Sequence, residues 1–184
     1  MKRAIDVVFS VLGLLLLTPL LLATAAAIAL ESGMPVLFVQ QRVGRGGRLF
    51  NMLKFRSMVR NAAATGSWRT GADDPRITRM GVFIRRTSID ELPQLVNVIK
   101  GDMSLVGPRP DVPAQRADYT EAEWMERCSV RPGLTGLAQA RLRSEGTQAQ
   151  RIALDLQYVR ARGIALDLRI LCWTLGRLNG RGSN

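Results

Sequence analysis

The stretch Arg85–Pro110, RRTSIDELPQLVNVIKGDMSLVGPRP, decides how the rest of the chain is read. Ser88 followed three residues later by Glu91 has the form of a capping box, and Ile89, Leu92, Leu95, Val96 and Ile99 recur at helical spacing until Gly101. The pattern predicts a helix that starts at Ser88. Its first turn carries Asp90 and Glu91, with Arg85 and Arg86 just upstream, so carboxylates, guanidinium groups and free backbone N–H donors converge at one helix end. Such an end suits a phosphate or a phosphate-bound metal. The same pattern is also ordinary helix punctuation, so the weight falls on the residues beyond Gly101. Val106-Gly107-Pro108-Arg109-Pro110 fixes one arginine between two prolines, and restricting the backbone on both sides of an arginine is costly unless its direction matters.

The run TSIDELPQLVNVIKGDMSLVGPRP closely resembles the core of the bacterial sugar transferase family, the monotopic polyprenyl-phosphate phosphoglycosyl transferases. The resemblance extends over nearly the whole chain, through Lys2-Arg3-Ala4-Ile5-Asp6, Gln41-Arg42-Val43-Gly44, Lys54-Phe55-Arg56-Ser57-Met58 and Arg131-Pro132-Gly133-Leu134-Thr135-Gly136. It implies that Asp90 and Glu91 are a catalytic pair. It further implies that a UDP-sugar donates a sugar 1-phosphate, through an aspartyl-phosphosugar, to a polyprenyl (undecaprenyl) phosphate, with release of UMP.

Composition narrows the chemistry independently. Twenty-six Lys and Arg against 15 Asp and Glu leave a net charge of +11, so the partners should be anionic: phosphorylated substrates, lipid headgroups or nucleic acid. Aromatic residues are few and not interleaved with basic ones, and no nucleic-acid-binding signature is visible, which argues against nucleic acid. There is no histidine, so histidine catalysis and ligation are excluded. Cys128 and Cys172 lack CxxC spacing; the expectation is two unpaired thiols in a reducing compartment, Cys128 inert and Cys172 in the core or facing a membrane.

From Val7 to Leu30 runs an uncharged stretch of 24 residues, about 36 Å long as a straight helix. A cleaved signal peptide, a spanning anchor and a re-entrant hairpin compete. Thr18-Pro19 at its middle and basic residues on both flanks, Lys2 and Arg3 before, Arg42, Arg45 and Arg48 after, favour the hairpin with both ends in the cytoplasm. The family's re-entrant helix, broken at a proline in this position, points the same way.

Met34–Gln41 and Leu49–Phe55 read as a hairpin joined by Gly44–Gly47, with Lys54–Met58 at the start of a short helix. Residues Asn61–Pro75 read as a mobile loop over the site, and Asp73-Asp74-Pro75-Arg76 as a turn capping a helix over Ile77–Arg86. Pro113–Cys128 has helical character. Val130–Gly136 reads as a turn-rich loop whose Arg131, beside a proline, repeats the device at Arg109. Gln148–Arg162 is an amphipathic helix, and Leu166–Leu178 suits either core packing or the headgroup level of a membrane.

The expected architecture is therefore α+β, mainly helical: a monotopic membrane protein with a re-entrant kinked helix at 1–32 and a cytoplasmic interfacial domain at 33–184. Its small β-hairpin and interfacial amphipathic helices hold one site at the cytoplasmic face of a bacterial inner membrane. Asp90 is the expected nucleophile. Glu91 orders a metal or handles a proton, and both carboxylates are the expected ligands of Mg²⁺, which with arginines neutralises charge between an anionic nucleophile and phosphorus. Arg85 is the expected phosphate clamp. Arg109, Arg131 and Lys54, with Pro108 and Pro110 framing Arg109, complete the substrate contacts, and Thr18-Pro19 is the membrane kink. The expected partners are a UDP-sugar, polyprenyl phosphate and membrane lipids, not nucleic acid; assembly as a homo-oligomer stays open. A different class of function, a membrane-anchored basic module that binds anionic lipid or nucleic acid without chemistry, stays open too, as does the identity of the sugar.

Overall fold

A computed structural model describes residues 1–62, 74–142 and 146–179. Most of the expected loop over Asn61–Pro75, and Asp73 of the tandem aspartates, lie outside the described residues. The chain is mainly helical with two small sheets.

Helix α1, Lys2–Ser32, contains the whole apolar stretch. It stays helical through Pro19, and the Thr18 hydroxyl donates to the Leu14 carbonyl at 2.7 Å. That is the i−4 reach of a helical threonine; the carbonyl left without a partner by proline belongs to the next residue, Leu15. Asp6, Ser10, Thr24 and Ile28 are buried along one stripe, with Gly13 against Leu95, whereas Phe9, Leu16, Leu22 and Leu30 are exposed on the outer face. Both ends are tied to the rest of the protein. At the start, Arg3 donates to the Val98 and Ile99 carbonyls at 2.6 and 2.9 Å, and Asp6 accepts from Ser104 Oγ and the Leu105 N–H. Lys2 Nζ is 2.5 Å from Asp167. At the far end Arg56 donates to the carbonyls of Ser32, Gly33 and Pro35, satisfying acceptors that a helix terminus leaves open.

Strands β1, Leu37–Val43, and β2, Leu49–Phe55, form the expected antiparallel hairpin, with Phe38 opposite Lys54 and Arg42 opposite Phe50. Lys54–Met58 does not open a helix. The chain continues extended, Arg56 N–H bonding the Val36 carbonyl and Met58 bridging to Ile77. Helix α2, Arg79–Arg86, begins later than expected and is capped by Thr78 rather than by aspartate. Asp74 instead folds onto Arg76, whose guanidinium it holds at 2.6 Å. Ile84 is fully buried with Ile28 and Phe55, joining α2, β2 and the second half of α1. Burying such a side chain contributes on the order of 2–3 kcal/mol.

The central stretch departs most from expectation. Ser88 is not a helix cap: it sits in the left-handed region at φ 58°, makes no capping bond, and leads into a single 3-10 turn, Ile89–Glu91. The α-helix, α3, starts only at Gln94–Lys100, after Pro93. Gly101 ends it in the left-handed conformation at φ 99°, as expected of glycine past a helix end.

After α3 come β3, Ser104–Val106; a 3-10 segment, Pro113–Asp118; and α4, Glu121–Cys128, which starts at its own Thr120–Glu123 capping box, so Pro113–Cys128 is two pieces. Strand β4, Gly133–Thr135, lies where a turn-rich loop was expected and pairs in parallel with β3. A Cβ on Gly133 would overlap the Gly107 backbone, so the two glycines permit this close crossing. Helices α5, Leu137–Leu142, α6, Gln148–Ala161, and α7, Ile164–Asn179, complete the chain. Helix α7 packs into the core through Ile170, fully buried with Leu171 and Trp173 beside it, and leaves Ile164, Leu168 and Leu175 exposed.

Candidate active site

Four successive carbonyls fix the arginine between its prolines. Pro108 O accepts from Gly133 N–H at 2.8 Å, Arg109 O from Arg127 at 2.5 Å, Pro110 O from Arg42 at 2.9 Å and Asp111 O from Val43 N–H at 2.9 Å. A proline-bounded loop has few N–H donors of its own, so it is held through its acceptors.

The arginine so placed meets Glu91. Arg109 Nη2 lies 2.6 Å from Glu91 Oε1, and Lys54 Nζ reaches the same oxygen at 2.8 Å from β2. Burial pushes the Glu91 carboxyl up, but Arg109 and Lys54 together overcome it and hold the group well below the usual carboxylate range. Glu91 is thus an ionised clasp between two cations.

Asp90 is different. One position earlier in a 3-10 turn, it points about 120° away. It is 8 % exposed, and its carboxylate receives no hydrogen bond or ion pair from the described residues. Burial raises its pKa; Lys54, Arg85 and Arg109 pull the other way, and the Glu91 charge adds to the rise. A carboxylate left without partners in a partly dehydrated place costs stability, and such groups collect at functional sites.

Asp90 opens into a cavity of about 980 Å³. Of the residues singled out from sequence, Asp90, Arg85, Lys54, Arg109 and Pro110 line it. Arg85 comes from α2, its Nε donating to Ser57 Oγ at 2.8 Å. Glu91 stands behind the wall, reached through Lys54 and Arg109. Pro108 is buried at the β3–β4 crossing, and Arg131 points elsewhere, its Nε donating to the Gly101 carbonyl at 2.8 Å, behind α3. Cys128 is buried, which pushes its thiol pKa up, and Cys172 is exposed.

Several lining residues escaped the sequence reading. Arg42 is brought down to about 10 by burial and by the neighbouring Arg109. Arg127 sits in a buried network, Nη1 at 2.8 Å from Asp111 and Nε at 3.0 Å from Asp155, with Tyr119 donating to Asp111 at 2.7 Å. Burial takes Asp155 up to about 6 against the pull of Arg127. The signal available was Asp155 itself, a carboxylate between Ile152 and Leu156 on the apolar side of α6.

No group of three or more acidic or thiol ligands able to hold a metal occurs among the described residues. One uncommitted carboxylate facing a cavity fits Mg²⁺ of the kind held largely by substrate phosphates and water, not an ion caged by protein. Asp90 is the group open to it; Glu91 is already shared by two cations.

A family model described as bacterial sugar transferase matches residues 1–180. The chain is 49 % identical over 187 residues to the undecaprenyl-phosphate glucose phosphotransferase of Komagataeibacter xylinus, an alignment covering 96 % of this chain and 35 % of that protein. It is 46 % identical to the UDP-glucose:undecaprenyl-phosphate glucose-1-phosphate transferase of Caulobacter vibrioides, covering 96 % and 69 % respectively. It is 45 % identical to the exopolysaccharide production protein PSS of Rhizobium leguminosarum bv. phaseoli, covering 95 % and 93 %. The chain therefore spans about a third of the first of these relatives and nearly all of the last.

Proposed function

Because this chain belongs to the bacterial sugar transferase family, we propose that it transfers a sugar 1-phosphate from a UDP-sugar to a polyprenyl phosphate, with Asp90 as the nucleophile. The observation that carries the reading is the Asp90 carboxylate: largely buried, without a hydrogen-bond or ion-pair partner among the described residues, and open to a large cavity lined by arginines.

In the first step an Asp90 oxygen attacks the sugar-bearing phosphorus, the bond from that phosphorus to the bridging oxygen breaks, and UMP leaves with the electron pair. In the second, a phosphate oxygen of the lipid attacks the same phosphorus. The bond to Asp90 breaks, and the carboxylate is regenerated with a polyprenyl-diphosphate-sugar as product. Splitting the transfer lets a soluble and a lipid substrate use one pocket in turn. Arg85 and Arg109 stabilise the developing charge on the phosphoryl oxygens. Glu91 positions Arg109 and Lys54 and need not touch the substrate. Mg²⁺ bound at Asp90 and the diphosphate would supply charge neutralisation.

Ties from both ends of α1 to the same folded body support a re-entrant rather than a spanning helix, since a spanning helix would carry one cluster of contacts across the bilayer. On this reading the site lies at the cytoplasmic surface of the inner membrane.

The direct test is incubation with a panel of UDP-sugars and Mg²⁺, without lipid, followed by mass spectrometry of the peptide containing Asp90. A stoichiometric burst of UMP and a sugar-phosphate adduct on Asp90 are expected. UMP formed only when lipid is present, with no adduct, would replace the two-step scheme with direct transfer.

A further inference from the structure

The hairpin register gives the cavity a direction. From the pairing of Phe38 with Lys54 the chains run on side by side: Arg56 N–H bonds the Val36 carbonyl, and Arg60 donates to the Met34 carbonyl. Lys54 stands beside Glu91, and Arg56 grips the C-terminal end of α1. The cavity therefore extends from the catalytic carboxylate along β2 to the point where the membrane helix ends. At its other extremity it is walled by residues of the 3-10 segment, α4 and α6, including Gln115, Arg127 and Asp155.

The two extremities differ in chemistry. Among the described residues, the large apolar side chains that both line the cavity and are exposed are Phe38, at 40 %, and Val59, at 47 %. Both lie at the α1 end. Outside them lies Met34, 60 % exposed, four residues beyond Leu30 at the end of α1, itself 89 % exposed; Val39, the neighbour of Phe38 in β1, points to the other face of the hairpin. Immediately inside are the guanidinium groups of Arg56 and Arg60. Apolar surface leading from a membrane helix to paired cations matches one class of ligand, a long hydrocarbon chain with a single phosphate head.

We propose that this end of the cavity is the portal through which the polyprenyl phosphate reaches Asp90. Its chain crosses Phe38 and Val59, and its phosphate passes Arg60 on the way in; Arg56 is the positioning residue that holds the Ser32–Pro35 backbone as the sill of the portal. The nucleotide then occupies the opposite extremity, so the two substrates approach the aspartate from different sides. The assignment rests on the transfer reading for its second substrate, but the location of the lipid site can be tested without turnover.

In nanodiscs, a polyprenyl phosphate bearing a diazirine in its first isoprene units should label peptides from 34–39 and 58–60, and undecaprenyl phosphate, but not excess phosphatidylglycerol, should compete. In parallel, Val59→Asp and Phe38→Asp should raise KM for undecaprenyl phosphate roughly tenfold or more while moving KM for the UDP-sugar less than about twofold, because a carboxylate there meets the isoprenoid chain and repels its phosphate. Labelling confined to 113–128 or α6, competition by phosphatidylglycerol, or equal changes in both KM values would overturn the portal. Labelling at the portal in a protein that releases UMP from no UDP-sugar would leave the lipid site standing and remove the transfer reading instead.

Discussion

Replacing Asp90 by asparagine separates a nucleophile from a structural counter-ion, because the two roles change stability in opposite directions. The carboxylate is buried, has no hydrogen-bond partner among the described residues, and has its pKa raised chiefly by burial. The folded state therefore carries a cost for keeping it ionised, which the neutral isostere removes. A buried polar group without partners costs about 1–3 kcal/mol, and Asn keeps part of that cost, so a gain of about 1–2 kcal/mol is expected. For a chain of this size that corresponds to a rise of roughly 2–8 °C in Tm. Turnover should meanwhile fall by at least about 10⁴-fold, as when a nucleophile is deleted. The pH dependence comes from the direction of the shift. An acid whose pKa is higher folded than unfolded favours the fold below the unfolded value, about pH 4, and that advantage is lost as pH rises through the folded pKa. The Asp90→Asn gain should thus be largest at neutral pH and vanish near pH 4. Thermal melts of both proteins in nanodiscs from pH 4 to 8, paired with UMP release, provide the measurement. A lower Tm for the variant at pH 7 would mean that attraction to Lys54, Arg85 and Arg109 outweighs burial, and Asp90 would be a structural charge; retained turnover would refute the mechanism outright.

Glu91→Gln should behave in the reverse way. The side chains of Lys54, Glu91 and Arg109 are 16, 20 and 46 % exposed, between surface and fully buried pairs, so a loss of roughly 2–3 kcal/mol and a fall in Tm are expected. Since the Glu91 pKa is depressed, that deficit should stay constant above about pH 4.5 and close only below it, in the same melts extended down to about pH 2. Arg127→Met strands Asp111 and Asp155 and should cost about 3–5 kcal/mol in denaturant titration, with partial recovery when Asp111→Asn and Asp155→Asn are added; no recovery would mean that packing, not charge, sets the loss. Gly133→Ala should cost about 3 kcal/mol or more because its Cβ meets backbone at the β3–β4 crossing, whereas Gly46→Ala, in open space with φ 68°, should cost about 1 kcal/mol. For the membrane helix, I5C and M34C in a Cys172→Ser background should both react with a membrane-impermeant maleimide only from the cytoplasmic side; labelling of one from each side would establish a spanning helix.

Where local preference and fold agree, the sequence was readable: the apolar run became α1, the alternating strands became the hairpin, and Gln148–Arg162 became α6 almost to the residue. It was less readable where a pattern had two physical meanings. Arg131 and Arg109 both stand beside prolines, yet one binds the Gly101 carbonyl behind α3 and the other faces the cavity. Proline stiffens a backbone without saying toward which partner. Val130–Gly136 reads from sequence as a turn-rich loop that presents Arg131 to substrate for the same reason; its glycines instead admit a parallel strand whose Gly133 N–H donates to the Pro108 carbonyl. Pairing between strands far apart in the chain leaves almost no local trace.

The departure at Ser88 is the informative one. Its capping box and the apolar spacing after it agree on a helix, and a regular helix from Ser88 would have given Asp90 and Glu91 first-turn backbone donors and the comfort of a helix dipole. The protein gives up that start: Ser88 takes φ 58°, a conformation that costs a non-glycine residue about 1–3 kcal/mol, and Pro93 delays α3 to Gln94. Across the intervening 3-10 turn Glu91 takes Lys54 and Arg109, while Asp90 receives no hydrogen bond or ion pair among the described residues. Local rules failed here because a capping-box pattern registers neither the left-handed backbone at Ser88 nor the contacts that Lys54, from β2, and Arg109, from the proline-bounded loop, bring to Glu91 from far away in the chain.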